Sequence, residues 1–252
     1  MSGIIGAVTS TPPARTSWPE LAERLTNALH PLAAPVAITF LDAPRDDIPA
    51  FDAAMPEPTP DGRTGRVAAG CVFWMHAAER TFSTARADHA NCSVGSYTHG
   101  LLSLEEAATN ADVAALVESG WVSAEAFPGI PAVTKRPALI TYGPLADTPV
   151  DPSVILLRLN AQGMMVMSDA IPELRIEGKP QCHIIAAAHE HGRVAASVGC
   201  ALSRARTGMG AHALTCAIPA AAAAHVTELV ERASGVDAVV TRYAASDAQR
   251  FR

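Results

Sequence analysis

Four cysteines fall into two pairs with similar surroundings, and their chemistry could define a functional site. Cys71 lies 21 residues before Cys92, and Cys182 lies 18 residues before Cys200. Four converging thiolates are typical ligands of an iron–sulfur cluster, with Zn²⁺ as the alternative. Neither pair has the C-x-x-C spacing of a zinc finger or a ferredoxin. A shared site therefore requires the fold to bring the two pairs together, and we predict that it does.

Two charged or titratable side chains near these cysteines are candidate catalytic residues. His89 precedes Cys92 by three residues and could orient or deprotonate its thiol. Arg204 follows Cys200 by four residues, and its guanidinium could hold the anionic group of a small-molecule substrate. Arg206 belongs to the same segment. We therefore predict an iron–sulfur or other metal-binding protein, with possible catalysis on a small anionic substrate.

Two other hypotheses fit the same residues. In one, Cys92 acts without a metal as a nucleophilic or redox thiol beside His89. In the other, the cysteines are buried packing residues of a non-catalytic module that binds a small ligand or a partner chain, since free cysteine is among the most buried residue types. Cys216 lies in the apolar segment Ala-Leu-Thr-Cys-Ala-Ile-Pro and is expected to serve packing alone.

The two cysteine pairs occupy what we interpret as an internal repeat. Each copy reads as a cysteine, a short apolar helix, a turn, a short strand and a second cysteine, with Gly100 or Gly208 eight residues later. The alternative is a chance resemblance between alanine-rich segments. The repeat predicts an α+β fold of two similar α/β halves, packed as one compact unit with strands in the middle and helices outside. The predicted boundaries are a tail over 1–19 and halves over 20–130 and 131–252.

Hydrophobic periodicity and turn residues predict the elements that must position these side chains. Residues 42–63 contain a run of prolines and are interpreted as a surface loop and candidate lid. A second loop is expected over 88–100, where Tyr97 and His99 could line a pocket. The predicted helices are 18–29, 70–80, 104–119 and 220–233, and the predicted strands are 36–41, 81–85, 138–142, 154–159, 194–199 and 213–218.

Composition narrows the class of protein. The net charge of -6 opposes binding to nucleic acid or to an anionic membrane surface, since both need a basic footprint. No apolar run reaches the ~18 residues of a membrane helix, and the first residues lack the pattern of a signal peptide. We therefore expect a cytoplasmic protein without structural disulfides. With 17% charged residues, a homodimer is compatible with the composition, and the helix face 226–230 is its candidate contact.

The cysteine segments also resemble a known family. The chain reads Cys71-Val-Phe-Trp and then His89-Ala-Asn-Cys92-Ser-Val-Gly95 in the first copy. The second copy reads Ser197-Val-Gly-Cys200, followed by Arg204 and Thr207-Gly208. These motifs are similar to the domain of unknown function 169 family over about residues 20 to 235. The resemblance implies a cytoplasmic prokaryotic protein without a settled activity, whose pattern is matched by the four paired cysteines, Gly95 and Arg204. Cys216 departs from that pattern, which favours packing.

Overall fold

The computed structural model of the chain describes residues 16–51, 68–178, 180–248 and 250. The helices, numbered α1 to α9, are Trp18–Leu29, Gly70–His76, Ser93–Thr98, Leu104–Ala108, Ala111–Glu118, Ala161–Ala170, His183–His191, Ala201–Thr207 and Ala223–Ala248. The strands, numbered β1 to β7, are Val36–Leu41, Phe82–Thr84, Leu139–Pro144, Val154–Leu159, Ile176–Glu177, Ala195–Ser197 and Leu214–Pro219. Short 3₁₀ helices cover Arg86–His89, Ala124–Gly129, Leu145–Asp147 and Ala220–Ala222.

The seven strands form one sheet in the order β2-β3-β1-β4-β7-β6-β5. Two central strands, β1 and β4, lie side by side and run antiparallel. β3 and β2 extend the sheet on the β1 side, and β7 and β6 extend it on the β4 side, all antiparallel. Among the seven strands of the described residues, the edge strand β5 alone pairs in parallel, with β6. The α+β class is therefore confirmed, with strands in the middle of the molecule.

Both faces of the sheet are buried, because apolar side chains alternate between them along each central strand. In β4, Ile155 and Leu157 pack with α1, α6 and α9 on one face. Val154 and Leu156 pack with α2 and α7 on the other. Cys216 lies fully buried on the first face, as its expected packing role requires. We call the second face, against which α2 and α7 pack, the site face.

Local sequence explains where the first helix begins. The Ser17 side chain accepts a hydrogen bond from the backbone N–H of Glu20 at the N-terminus of α1. Leu21, Leu25 and Leu29 follow at helical spacing and are buried in the core. The predicted strands 36–41 and 154–159 also match β1 and β4.

Three of the predicted elements were wrong in part. The segment 88–100 is not only a loop, because it contains α3, whose buried face is built from small residues that give little periodic signal. The helix predicted over 104–119 is divided between α4 and α5, since Asn110 starts a new helix and donates its amide to the Ser93 hydroxyl at 2.9 Å. The last helix continues from the predicted 233 to Ala248.

Other predictions lie partly outside the described residues. The tail before residue 16 and the 52–63 part of the candidate lid belong to this group. Among the helices in the described part of the chain, none combines the length and the apolar character needed to cross a membrane.

Candidate functional site

Cys92 and Cys200 occupy matching positions, each at the N-terminus of a short helix. Cys92 caps α3, and its Sγ accepts a hydrogen bond from the backbone N–H of Gly95 at 3.4 Å. Cys200 caps α8, and its Sγ accepts from the backbone N–H of Ser203 at 3.3 Å. Both sulfurs therefore have a backbone N–H donor, which is an arrangement suited to a metal-bound sulfur.

Cys71 and Cys182 also lie at helix starts, closer to the core. Cys71 is the second residue of α2, and Cys182 immediately precedes α7. Both pack against the apolar core on the site face of the sheet. α3 and α7 are in contact, as are α2 and α8, so elements that follow β1 meet elements that follow β4. The fold therefore brings the two cysteine pairs to one place.

All four paired cysteines line a single pocket, whose empty space of about 390 Å³ includes solvent at its mouth. Its wall is largely apolar, with Trp74, Trp121 and Leu202 among its residues, and among the described residues Arg206 is its one charged member. The complete lining is Ala69, Gly70, Cys71, Trp74, Cys92, Val94, Gly95, Trp121, Pro180, Gln181, Cys182, Cys200, Leu202, Ser203 and Arg206.

The electrostatics of the cavity show that the four thiols influence one another. Burial raises the pKa of Cys71 to about 12, and negative charge on Cys92 and Cys200 adds to that rise while Arg206 opposes it. Burial also raises the pKa of Cys182 well above its ordinary value, with further contributions from the other three cysteines. Without a compensating cation, the cavity therefore resists holding several thiolates at once.

Arg206 lies close enough to these thiols to interact with their charges. Burial disfavours its charge, but a hydrogen bond to Cys92 and the charges of Cys92, Cys71 and Cys200 outweigh that cost and raise the pKa of Arg206. Its guanidinium also donates to the Asn91 carbonyl at 2.6 Å. Arg206 therefore extends from α8 to a backbone carbonyl just before α3, and so connects the two segments that contain Cys200 and Cys92.

Arg204, the candidate substrate-binding residue, has different surroundings. Its guanidinium donates to the carbonyls of Gly210 at 2.7 Å and Ala213 at 2.9 Å, and also to the carbonyl of Val198. It is not among the residues that line the cysteine cavity. These contacts favour a role in holding the loop after α8, and Arg206 is the better placed guanidinium for an anion in the cavity.

His89, the other candidate catalytic residue, is buried behind the cavity rather than in its lining. Its Nε2 is 2.9 Å from the Thr84 hydroxyl, while its Nδ1 has no hydrogen-bond partner among the described residues. His99 lies beside it, with ring centroids 5.8 Å apart, and neither of its ring nitrogens has a partner in the described part of the chain. The His99 ring lies against Gly70, which lines the cavity, since a Cβ at Gly70 would lie 2.5 Å from His99 Cε1.

These two histidines predict that stability falls in mild acid. Burial lowers the pKa of His99 from 6.5 to about 4 and lowers the pKa of His89 in the same direction. Below pH 6.5 the unfolded chain binds protons that the folded chain refuses, so unfolding becomes easier until the pH reaches about 4. From His99 alone we expect a loss of about 2 kcal/mol between pH 7 and pH 5.

Urea unfolding at several pH values measures this effect. His99→Gln should flatten the dependence of stability on pH, whatever its effect on absolute stability. His225→Gln changes an exposed histidine on α9 and serves as the matched control, with an unchanged slope. An equal slope in wild type and His99→Gln would contradict the assignment.

Sequence reasoning did not identify Trp74, Gln181 and Ser203 as members of the site. Gln181 donates to the Thr215 hydroxyl at 2.7 Å and accepts from the Ser203 hydroxyl, which links the start of α7 to α8. Their proximity in sequence to Cys71, Cys182 and Cys200 is the one signal that could have suggested them. Among the described residues, no group of three or more His, Cys, Asp and Glu side chains is arranged to hold a metal ion.

Comparison with known proteins places this site in a family context. No curated protein and no solved structure matches the chain. One family model matches residues 24–229. The matched range includes the four paired cysteines, Arg204 and Arg206. The description of the family is "Uncharacterised ArCR". Because that match covers most of the sequence, the chain belongs to the domain of unknown function 169 family.

Proposed function

We propose that this protein binds a [4Fe–4S] cluster through Cys71, Cys92, Cys182 and Cys200. The observation that carries the proposal is the convergence of all four cysteines, from both parts of the chain, on one apolar-walled cavity. All five cysteines of the chain are free thiols, so these four are available as ligands. A reducing, cytoplasmic compartment is part of the proposal, because it keeps such thiols available.

The arrangement favours a cluster over a single zinc ion. A tetrahedral zinc site needs sulfurs about 3.5–4 Å apart. A cubane accepts ligand sulfurs about 6–7 Å apart, because the inorganic core fills the space between them. The four cysteines influence one another electrostatically, yet in the described part of the chain they are not grouped as ligands of one ion. Cluster binding would also relieve the unfavourable ionisation of Cys71 and Cys182, since iron–sulfur bonds replace buried bare thiolates.

The other residues of the cavity suit a buried, anionic cluster. The N–H groups of Gly95 and Ser203 already point at two of the sulfurs, and N–H···S bonds of this kind raise the reduction potential of a cluster. Arg206 adds one positive charge at the wall. With four protein ligands the cluster would have no open iron, so catalysis on a small anionic substrate would require one cysteine to release its iron.

We further infer that the site was assembled from two similar halves. From β1 to β3 and again from β4 to β7, excluding the edge strand β5, the described elements include strand, helix, strand, capped helix and strand. The sheet order supports this inference. β3 and then β2 follow on one side of β1, and β7 and then β6 follow in the same way on the far side of β4. Cys92 and Cys200 cap equivalent helices, which supports it further. On this view the boundary lies between β3 and β4, later than residue 130.

Anaerobic purification tests the proposal directly. The protein should be brown, with absorbance near 400 nm and about four iron and four sulfide ions per chain. Zinc analysis of the same preparation tests the alternative, in which the cysteines bind a single zinc ion. Colourless protein without iron, after anaerobic purification and after an attempt to rebuild the cluster with iron and sulfide, would reject the proposal.

The metal-free thiol hypothesis has one observation in its favour. The Gly95 N–H donates to the Cys92 sulfur and the charged Arg206 lines the same cavity, as expected beside a nucleophilic thiol. His89 is bonded to Thr84 instead, so Arg206 rather than His89 would activate the thiol. Rapid, selective labelling of Cys92 in iron-free protein would support this function. If the protein lacks iron and Cys92 is unreactive, the remaining hypothesis is the non-catalytic module that binds a small ligand or a partner chain.

A further inference from the structure

In the second half of α9, the apolar side chains lie on the side of the helix that is exposed to solvent. Its apolar side chains are exposed: Val236 is 65% exposed, Val239 and Val240 are 57% exposed, and Tyr243 is 75% exposed. These four residues follow the i, i+3, i+4, i+7 spacing that forms one stripe along a helix. We call them the outer stripe.

The opposite side of the same helix segment faces the body of the protein and is polar. Ser234, Asp237, Thr241 and Arg242 line a groove together with the end of α1 and the start of α6. At 3.6 residues per turn, these positions lie about half a turn away from the outer stripe. The helix therefore turns its mostly polar side toward a groove that is open to solvent at Thr241 and Arg242, and its apolar side away from the protein. An apolar stripe that faces only water is unfavourable for a solitary chain.

The face predicted from sequence as a dimer contact is on the other part of this helix. Val226 is 4% exposed and Val230 is fully buried, because both pack into the core with α1 and α6. The prediction that residues 226–230 offer an exposed contact face is therefore wrong. The exposed apolar residues begin only after α9 leaves the core.

We propose that the outer stripe binds the same stripe of a second copy, with the two α9 helices antiparallel. The stripe is symmetric about the point between Val239 and Val240, so Val236 of one copy meets Tyr243 of the other. Arg232 and Asp247 are equally far from that point, about 22 Å apart, and lie close to the same side of the helix. Antiparallel pairing therefore puts Arg232 opposite Asp247 of the partner subunit at both ends.

The charges select this arrangement over its alternative. Parallel pairing would put Arg232 against the partner's Arg232 and Asp247 against the partner's Asp247, which is repulsive. Asp247 also bonds Arg250 of its own chain at 3.0 Å, on the exposed end of the helix, and that contact is compatible with a second arginine nearby. A second copy thus fits the stripe in both apolar contacts and charge.

Sedimentation of the full chain from about 1 to about 100 μM tests the proposal. Wild type should sediment as a dimer of the 26.2 kDa chain at the upper concentrations. Val240→Asp should be monomeric throughout, because it places a charge at the centre of the stripe. Thr241→Asp, one residue further on and on the inward polar side, is the matched control and should dimerise like wild type.

Charge exchange tests the antiparallel register. Arg232→Asp alone and Asp247→Arg alone should each weaken the dimer by about tenfold, since each creates like charges at both ends. The double variant Arg232→Asp/Asp247→Arg should recover most of the wild-type affinity. A wild-type monomer at 100 μM, or a dimer that Val240→Asp leaves intact, would overturn the proposal. The iron content of the chain is read separately, so this result does not depend on the cluster.

Discussion

Replacing any one of Cys71, Cys92, Cys182 and Cys200 with serine should remove most of the iron from anaerobically purified protein. All four line the same cavity, and a cluster that loses one thiolate in a largely apolar wall has few other donors to replace it. Cys216→Ser should keep its full iron content, because Cys216 is buried on the opposite face of the sheet. Iron and sulfide analysis, with absorbance near 400 nm, measures the difference.

Cys216→Ser also controls for damage to the fold. Serine puts a hydroxyl where Cys216 packs with Leu157 and Ile218, at a cost of about 1–3 kcal/mol, so general destabilisation should be at least as visible there. Loss of iron from all five variants would show that iron content follows stability rather than ligation. Loss from Cys71→Ser and Cys92→Ser alone would place a site within one half and contradict the shared cluster.

The convergence of the cysteines on one cavity was predicted from the similar surroundings of the two pairs, which we interpreted as a repeat. The spacing of each pair, and the strand before each copy, were sufficient to anticipate a central sheet with cysteines on its helices. β1 and β4 are apolar except for Thr39 and Arg158, and strands of this composition are buried on both faces. Because both faces of such a strand are apolar, its sequence does not reveal which face packs against which helices.

The roles of the polar residues were not predictable in the same way. Arg204 and Arg206 differ by two positions, and only the direction of α8 decides which one reaches Cys92 and which one reaches the Ala213 carbonyl. His89 was expected near the thiol, but the short 3₁₀ helix over Arg86–His89 turns its ring toward Thr84. Such choices depend on helix rotation, and sequence spacing alone leaves that rotation open.

Helix α3 was also not predictable from its sequence. Its buried residues include Ser93, Gly95, Ser96 and Thr98, whose composition is typical of a loop. The helix forms because Cys92 caps its start and because the Ser96 hydroxyl donates to the His89 carbonyl at 2.9 Å. Tertiary packing therefore overrides weak helix propensity here, and the override places a candidate ligand at the cavity.

Two glycines at matching positions after Cys92 and Cys200 provide a pair of substitutions with very different expected effects. Gly100 and Gly208 each lie eight residues after the second cysteine of their copy, and both have left-handed backbone conformations, with φ of 73° and 64°. Alanine at either position should cost about 1–2 kcal/mol in backbone strain. At Gly208 nothing lies within 4 Å of an added Cβ. At Gly100 the added Cβ would lie 2.6 Å from the Val133 carbonyl oxygen, so the backbone itself must move.

We therefore expect Gly100→Ala to be much less stable than Gly208→Ala. The collision should add about 1–3 kcal/mol to the strain, because overpacking against backbone cannot be relieved by a side-chain rotation. Displacement of Val133 would also disturb its N–H bond to the Thr98 carbonyl at 2.9 Å, and Thr98 lies at the end of the helix that Cys92 caps. Urea unfolding of both variants measures the difference, and iron content shows whether it reaches the cavity. Equal destabilisation in the two variants would mean that the segment around Val133 yields freely, and that α3 is held from the cysteine end alone.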